Sequence, residues 1–321
     1  MAALIGGRGH GPGRSAGVIG VAPESKILSI RVILDESEPG FRRFNGEERW
    51  ADAVSAGIRR AVKSGADVIN LSLVRGVPTK EDRAAVSYAI TKGVVVVAGA
   101  GNDGDSPLVK NGYAPYRYPA SFPGVISVAA VDGSYQRAGF SNRNGSIVVA
   151  APGTGITSAG PSGEYWRMSG TSPACALVSG VAALIRAKHP KLSPALVAQA
   201  IVGSAGHRPR LGYDHDVGFG TVDAARALAL ADRLAGYRST GGVDPAKRFT
   251  SEEPAPVQVV HRDGHLIAGA GAASVIFLAG LTAAVVWVVA LRRRRIAPAA
   301  GPLPPTPYGP PGPPNGPNHP G

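Results

Sequence analysis

A disulfide within the chain is excluded at the outset, because the 321 residues hold a single cysteine, Cys175. One thiol suits a cytosolic protein and an exported bacterial one equally. Charged residues are sparse at 17%, against 44% hydrophobic, a balance that fits a globular core plus an apolar segment. No internal repeat is present, which removes repeat architectures. The start, Met1-Ala2-Ala3-Leu4-Ile5, has no basic region and runs at once into Gly6 and Gly7, so it is not a secretory signal peptide. Carboxylates do not cluster, so the sequence identifies no metal site and leaves calcium binding open, and no cofactor is expected.

Acidic residues are the minority charge, and the formal net charge is +12. Nucleic-acid binding would need those cations gathered on one stripe. The one dense run is Arg292-Arg293-Arg294-Arg295, directly behind an apolar stretch, and the other cations are scattered. The charge therefore reads as membrane topology and solvation, with no nucleic-acid partner.

Residues 1–22 are glycine-rich and read as irregular after a short apolar opening. Residues 26–34 (KILSIRVIL) predict a buried strand, and 35–48 a polar loop. Residues 49–64 place Trp50, Val54, Ile58 and Ala61 at helical spacing. Strands are expected over 67–73, 94–98, 125–131 and 147–151, and helices over 81–91, 171–187, 193–204 and 223–235. Alternating strands and helices imply βαβ units and a parallel sheet. The run Val94-Val95-Val96-Val97 suits a strand covered on both faces.

Residues 237–265 contain Pro245, Pro254 and Pro256 and read as a linker. Residues 266–291 carry no charged side chain, and a membrane-crossing helix needs about 20 apolar residues. With the Arg run behind it, this stretch reads as a stop-transfer anchor, the tail cytoplasmic and the preceding domain outside. Residues 296–321 are rich in proline and glycine and read as a solvated, extended tail, a proline-recognising partner being the less favoured alternative.

Three segments carry chemistry. Ser169-Gly170-Thr171-Ser172-Pro173-Ala174 opens a helical apolar run. A helix N-terminus favours negative charge, as on an attacking alkoxide or the oxyanion it forms. Pro173 suits a first helical turn. An ordinary Ser/Thr N-cap explains the hexapeptide as well. Residues 94–104 (VVVVAGAGNDG) run a strand into glycines around Asn102, where an amide could donate to an oxyanion or serve a tight turn. Residues 67–74 (DVINLSLV) form a strand whose end could pair with an extended peptide. A fourth run, Gly7-Arg8-Gly9-His10-Gly11-Pro12-Gly13, invites a dinucleotide-binding reading, but no strand precedes it and Pro12 interrupts any helix after it.

In this order the three segments resemble the subtilase (subtilisin-like, peptidase S8) family. So do 17–23 (GVIGVAP), Tyr118-Pro119-Ala120-Ser121, Phe140-Ser141-Asn142 and Ala151-Pro152-Gly153. The resemblance covers roughly residues 1–235, and the added anchor and proline-rich tail are similar to the mycosins of type VII secretion. It implies a subtilisin-like α/β fold, a parallel sheet with helices on both faces and its N-terminal strands missing, plus one C-terminal membrane helix. The division is then 1–236 catalytic domain, 237–265 linker, 266–291 membrane helix and 292–321 basic run and tail. The resemblance makes Ser172 the nucleophile and Asn102 the oxyanion donor, with the Ser172 N–H beside it. Leu71, Ser72, Leu73 and Val74 would line one side of the substrate cleft, and Ala98, Gly99, Ala100 and Gly101 the other. The reaction implied is peptide-bond hydrolysis through an acyl-enzyme, by a protein held in the cell membrane with protein or peptide substrates and type VII secretion components as partners.

The family pairs such a serine with a histidine and an aspartate. By resemblance, Met1–Ile5 matches the middle of the helix that a His-Gly-Thr motif opens, so that histidine is expected just upstream of Met1, with the aspartate earlier still. His10 is the one histidine before Ser172, and no aspartate precedes Asp35. By the same resemblance a strand is missing between 26–34 and 67–73, and unpaired buried backbone is costly, so poor folding of the chain alone is expected. Ala176 stands where the family usually has proline. Val74 and Arg75 stand where many members have glycine, which implies a narrower cleft, and Cys175 reads as a small packed residue. Two other functions stay open: a non-catalytic membrane-anchored protein that keeps the fold for binding, and a membrane-anchored nucleotide binder.

Overall fold

In the computed structural model, the described residues are 1–34, 38–46, 52–160, 163–236 and 264–295. They fall in two units, Met1–Gly241 and Gly242–Gly321. The first unit runs α1 (Ala2–Gly6), β1 (Arg8–His10), β2 (Ala16–Ile19), α2 (Phe41–Gly46), α3 (Ala53–Lys63), β3 (Val68–Leu71), α4 (Lys80–Thr91), β4 (Val95–Gly99), β5 (Ile126–Val131), β6 (Val149–Pro152), β7 (Ile156–Ala159), β8 (Tyr165–Met168), α5 (Thr171–Lys188), α6 (Pro194–Gly203) and α7 (Ala224–Gly236). The second contains α8 (Gly264–Arg295).

The valine-rich segments make the core. β3, β4, β5 and β6 lie side by side in that order, all parallel. β-Branched side chains pack well on a pleated surface, and strands covered on both faces need no polar alternation. Val95 and Val97 point with Ile126 and Val128 into the layer made by α5, α6 and α7. Val94, Val96 and Ala98 point the other way, with Ile69 and Leu71, into the layer made by α3 and α4. α5 runs behind all four strands, so the sheet is an α/β sandwich with helices on both faces.

Local signals set the helix starts. Thr79 accepts the Asp82 N–H at 3.0 Å to cap α4, and Ser193 accepts the Leu196 N–H at 3.3 Å to cap α6, with Pro194 in its first turn. Two small antiparallel sheets, β1–β2 and β7–β8, lie outside the main one.

Several expectations need correction. Residues 26–34 form no strand. A strand is held by ladder hydrogen bonds, and this segment makes none with the described strands. Ile30 and Val32 pack instead against the apolar layer of α3 and α4. The fit is close: a Cβ on Gly57 of α3 would come within 2.4 Å of a Val32 methyl. Ile27, Leu28 and Ile33 stay exposed. Residues 1–22 are not irregular, because α1 packs on α5 through buried Leu4 and the glycine run folds as the β1–β2 hairpin. Within 35–48, α2 interrupts the expected loop.

Trp50, the bulk of the 237–265 linker and the 296–321 tail lie outside the described residues. In the second unit, Gly271–Arg292 is 22 residues long with mean hydropathy 2.5, long and apolar enough to cross a membrane.

Candidate active site

Because the strands are parallel, the carboxyl ends of β3 and β4 open on one side of the sheet, and α5 starts there too. The three meet around a cavity of about 180 Å³ lined by Ser72, Leu73, Val74, Gly99, Gly101, Asn102, Asp103, Thr171 and Ser172. Of the residues singled out in the sequence, Ser172, Asn102, Ser72, Leu73, Val74, Gly99 and Gly101 come together on it. Leu71, Ala98 and Ala100 do not line it. They are buried at 7%, 0% and 2% exposure and support it from behind.

The start of α5 is pinned to the end of β4. Asn102 Oδ1 accepts both the Thr171 N–H, at 2.9 Å, and the Thr171 hydroxyl, at 3.0 Å. That hydroxyl in turn accepts the Gly101 N–H at 3.2 Å. A Cβ on Gly99 would stand 3.0 Å from the Thr171 Oγ1, so the approach is built for glycine. With the amide oxygen of Asn102 used twice, its NH₂ group is left for the cavity. Helix geometry also leaves the Ser172 N–H without an intrahelical acceptor, and Pro173 has no N–H at all. Asn102 and Ser172 thus line one cavity, with the Asn102 NH₂ and the Ser172 N–H not used by the hydrogen bonds that pin α5.

The other wall is tied to α5 by a buried polar chain. The Cys175 thiol (3.2 Å) and the Ser179 hydroxyl (3.0 Å) both donate to Asn70 Oδ1. Asn70 Nδ2 donates to Ser72 Oγ at 3.0 Å, and Ser72 Oγ–H donates to the Ser172 carbonyl at 3.1 Å. Burial pushes the Cys175 thiol up to about 12. It stays protonated and serves as a donor, which a packed but inert cysteine can do.

Beyond Asn102, Asp103 is held by Arg117 through two bonds, Nε to Oδ2 at 2.7 Å and Nη2 to Oδ1 at 2.6 Å. Hydrogen bonding from Arg117 holds the Asp103 carboxyl below its usual range, against a smaller opposing effect of burial. A depressed carboxylate contributes stability that is present above the unfolded value, about 3.9, and is lost as pH falls through the lower folded value. Asp103→Asn is therefore expected to melt below the unmodified protein at neutral pH, with the gap closing as pH falls below about 4. Melting curves of both proteins from neutral to strongly acid pH check this. A gap that persists unchanged in acid would refute it.

None of the four histidines described in the first unit hydrogen-bonds Ser172. His10 pairs with the Tyr165 hydroxyl at 2.9 Å on an exposed face. His189 pairs with Asp232 at 2.7 Å, His207 stacks on Tyr135, and His215 packs among Tyr113 and Tyr213. A larger groove lies between α6 and α7, lined in part by Arg208, Arg226 and Arg233. Arg208 is spent on carbonyls at the end of α6, and Arg226 on Asp223. Among the described residues no group of three or more His, Cys, Asp or Glu side chains converges to hold a metal ion.

Sequence reasoning missed Thr171, Asn70, Ser179, Asp103 and Arg117. Thr171 and Asp103 adjoin residues it named, and Asn70 is the polar residue of an otherwise apolar strand. Arg117 carried no signal, since its role depends on where the chain folds back.

The Peptidase_S8 profile of the subtilase family matches residues 1–220. Mycosin-3 of Mycobacterium tuberculosis (strain ATCC 25618 / H37Rv) is 32% identical over 92% of this chain and 72% of its own length. Subtilisin E of Bacillus subtilis (strain 168) is 37% identical over 66% of this chain, which spans about half of that relative, 51%. Among solved structures, the serine protease MycP1, described as an essential component of the type VII (ESX-1) secretion system, superposes with a TM-score of 0.56 at 31% identity, covering 71% of each chain.

Proposed function

This chain belongs to the subtilase family, and from that premise we propose that it is a membrane-anchored serine endopeptidase acting beside a type VII secretion system. The observation that carries the reading is the convergence of Ser172, the free amide of Asn102 and the Ser172 N–H on one cavity between two strand ends. A substrate strand lies between residues 71–74 and 98–101. Ser172 Oγ attacks the scissile carbonyl, and the oxyanion is held by Asn102 Nδ2 and the Ser172 N–H at the positive end of α5. Collapse gives an acyl-enzyme, which water hydrolyses. A histidine takes the Ser172 proton and passes it to the leaving amine, and an aspartate orients that histidine. In this proposal both roles fall to residues other than those described in the first unit.

Gly271–Arg292 anchors the protein in the cell membrane once. The Arg292-Arg293-Arg294-Arg295 run lies on the cytoplasmic side and the subtilase domain outside. The secretion partner follows from the similarity to Mycosin-3 and to MycP1. A second reading, a binding protein that keeps the cleft without turnover, is favoured by one observation: His10, His189, His207 and His215 are all engaged away from Ser172.

The test compares the 321-residue chain with a form extended upstream of the Met1 codon. The extended form is expected to label at Ser172 with a fluorophosphonate and to cleave peptides, and the shorter chain to do so far more weakly. Absence of labelling and cleavage in both would overturn the endopeptidase in favour of the binding protein.

A further inference from the structure

The larger groove, between α6 and α7, has a volume of about 640 Å³, against about 180 Å³ for the cavity at Ser172, and the two share no lining residue. Arg208, Arg226 and Arg233 line it, and no acidic side chain is among the described residues that do. Arg226 and Arg233 stand seven residues apart on α7. That spacing puts them on one face of the helix, about 10 Å apart along its axis. Ala229 and Leu230 lie between them and give the face an apolar strip. The two helices meet closely there, since a Cβ on Gly203 of α6 would come within 2.6 Å of a Leu230 methyl.

Neighbouring groups do not cancel this charge. The carboxyl end of a helix is negative, and α6 ends at the groove, at Gly203. Arg208 covers that end, donating from Nε to the Ala205 carbonyl at 3.0 Å and from Nη2 to the Val202 carbonyl at 2.9 Å. An anion in the groove therefore meets a capped helix end rather than bare carbonyls. Asp223 is already engaged at the start of α7, where its Oδ1 accepts the Arg226 N–H at 2.9 Å. Its Oδ2 meets the Arg226 side chain at 3.4 Å, with that arginine 70% exposed. An exposed pair of this kind is weak, so Arg226 exchanges it readily for another anion. Arg233 is exposed and has no ion-pair or hydrogen-bond partner among the described residues.

We propose that this groove docks an acidic helical segment of a partner protein. Two carboxylates seven residues apart face Arg226 and Arg233, and an apolar side chain between them lies on Ala229 and Leu230. Recognition of a helix in a groove uses anchors at i, i+3 or i+4, and i+7, and α7 offers the complement of that spacing. Charge alone would suit a lipid headgroup or a nucleic acid as well. The apolar strip between the arginines has no counterpart in a row of phosphates, and it favours a peptide face. The docking is independent of the peptidase reading, because none of these residues lines the cavity at Ser172.

Fluorescent peptides titrated into the full-length protein in detergent test this. The probe is a helix-forming peptide with two glutamates seven residues apart and leucine between them on the same face. The control has the same composition, with the glutamates moved to the opposite face. The probe is expected to bind at least about tenfold tighter than the control, and to weaken as salt is raised. Arg226→Gln/Arg233→Gln is expected to remove that advantage while leaving the melting temperature unchanged, since both side chains are exposed. In Arg226→Glu/Arg233→Glu, a probe with lysines in place of its glutamates is expected to gain about tenfold over its binding to the unmodified protein. No binding of the probe, equal binding of the control, or a probe indifferent to both double variants overturns the proposal. So does displacement of the probe when phosphatidylglycerol is added to the micelles, which would make an anionic lipid headgroup the occupant.

Discussion

Ser172→Ala is expected to lower peptide cleavage by about 10⁶-fold, the size of loss that removing the triad serine causes in subtilisin, and to abolish fluorophosphonate labelling. The fold should not notice the change. The bond that ties residue 172 to the cleft wall is made by its backbone carbonyl, which accepts from Ser72 at 3.1 Å, and an alanine carbonyl accepts equally well. Residue 172 lies in the first turn of α5, and alanine is a good helix former. Stability should therefore change by no more than an exposed substitution changes it, about 0.5 kcal/mol. Activity and melting are measured on the form extended upstream of Met1. Residual cleavage near the unmodified rate would mean that another nucleophile does the chemistry.

Most of the sheet was legible in the sequence. The apolar runs that became β4 and β5 need only be buried to form strands. Residues 171–187 carry their own start signal, and α5 covers that range. The failure at 26–34 is different in kind. Its residues have strand-forming side chains, but a strand exists only where another edge meets it, and that is a property of the whole chain. The β1–β2 hairpin was hidden for the opposite reason: its glycines say little about conformation until a partner strand fixes them.

The site divided in the same way. Ser172 and Asn102 could be named because each stands at a boundary the sequence marks, a helix start and a strand end. The groups that hold them could not. Ser72 could be named, but Asn70 behind it is joined to Cys175 and Ser179 across more than a hundred positions of chain by hydrogen bonds no spacing rule encodes. The same holds for the Arg117–Asp103 pair. Arg117 meets Asp103 only because the loop between them returns to the end of β3.

Asn102 lets the proposed catalytic role be tested apart from support. Its Oδ1 holds the first turn of α5 through Thr171, while its Nδ2 is the group offered to the cleft. Asn102→Ala removes both functions. It should cost about 10²–10³-fold in kcat, as loss of an oxyanion-hole asparagine does in subtilisin, and about 1–2 kcal/mol of stability, as loss of a helix cap does. Asn102→Asp keeps the acceptor and places a negative charge at a helix N-terminus, where it is favourable. Its melting temperature should match or exceed that of the unmodified protein. Its kcat should nevertheless fall at least as far as that of the alanine variant, because a carboxylate oxygen now faces a developing oxyanion and repels it. KM should move little in either variant, since the lost contact is made in the transition state. Thermal melts and steady-state kinetics on the two variants decide the matter. An aspartate variant that is stable and still turns over normally would remove Asn102 from the oxyanion hole and leave it only the task of holding α5.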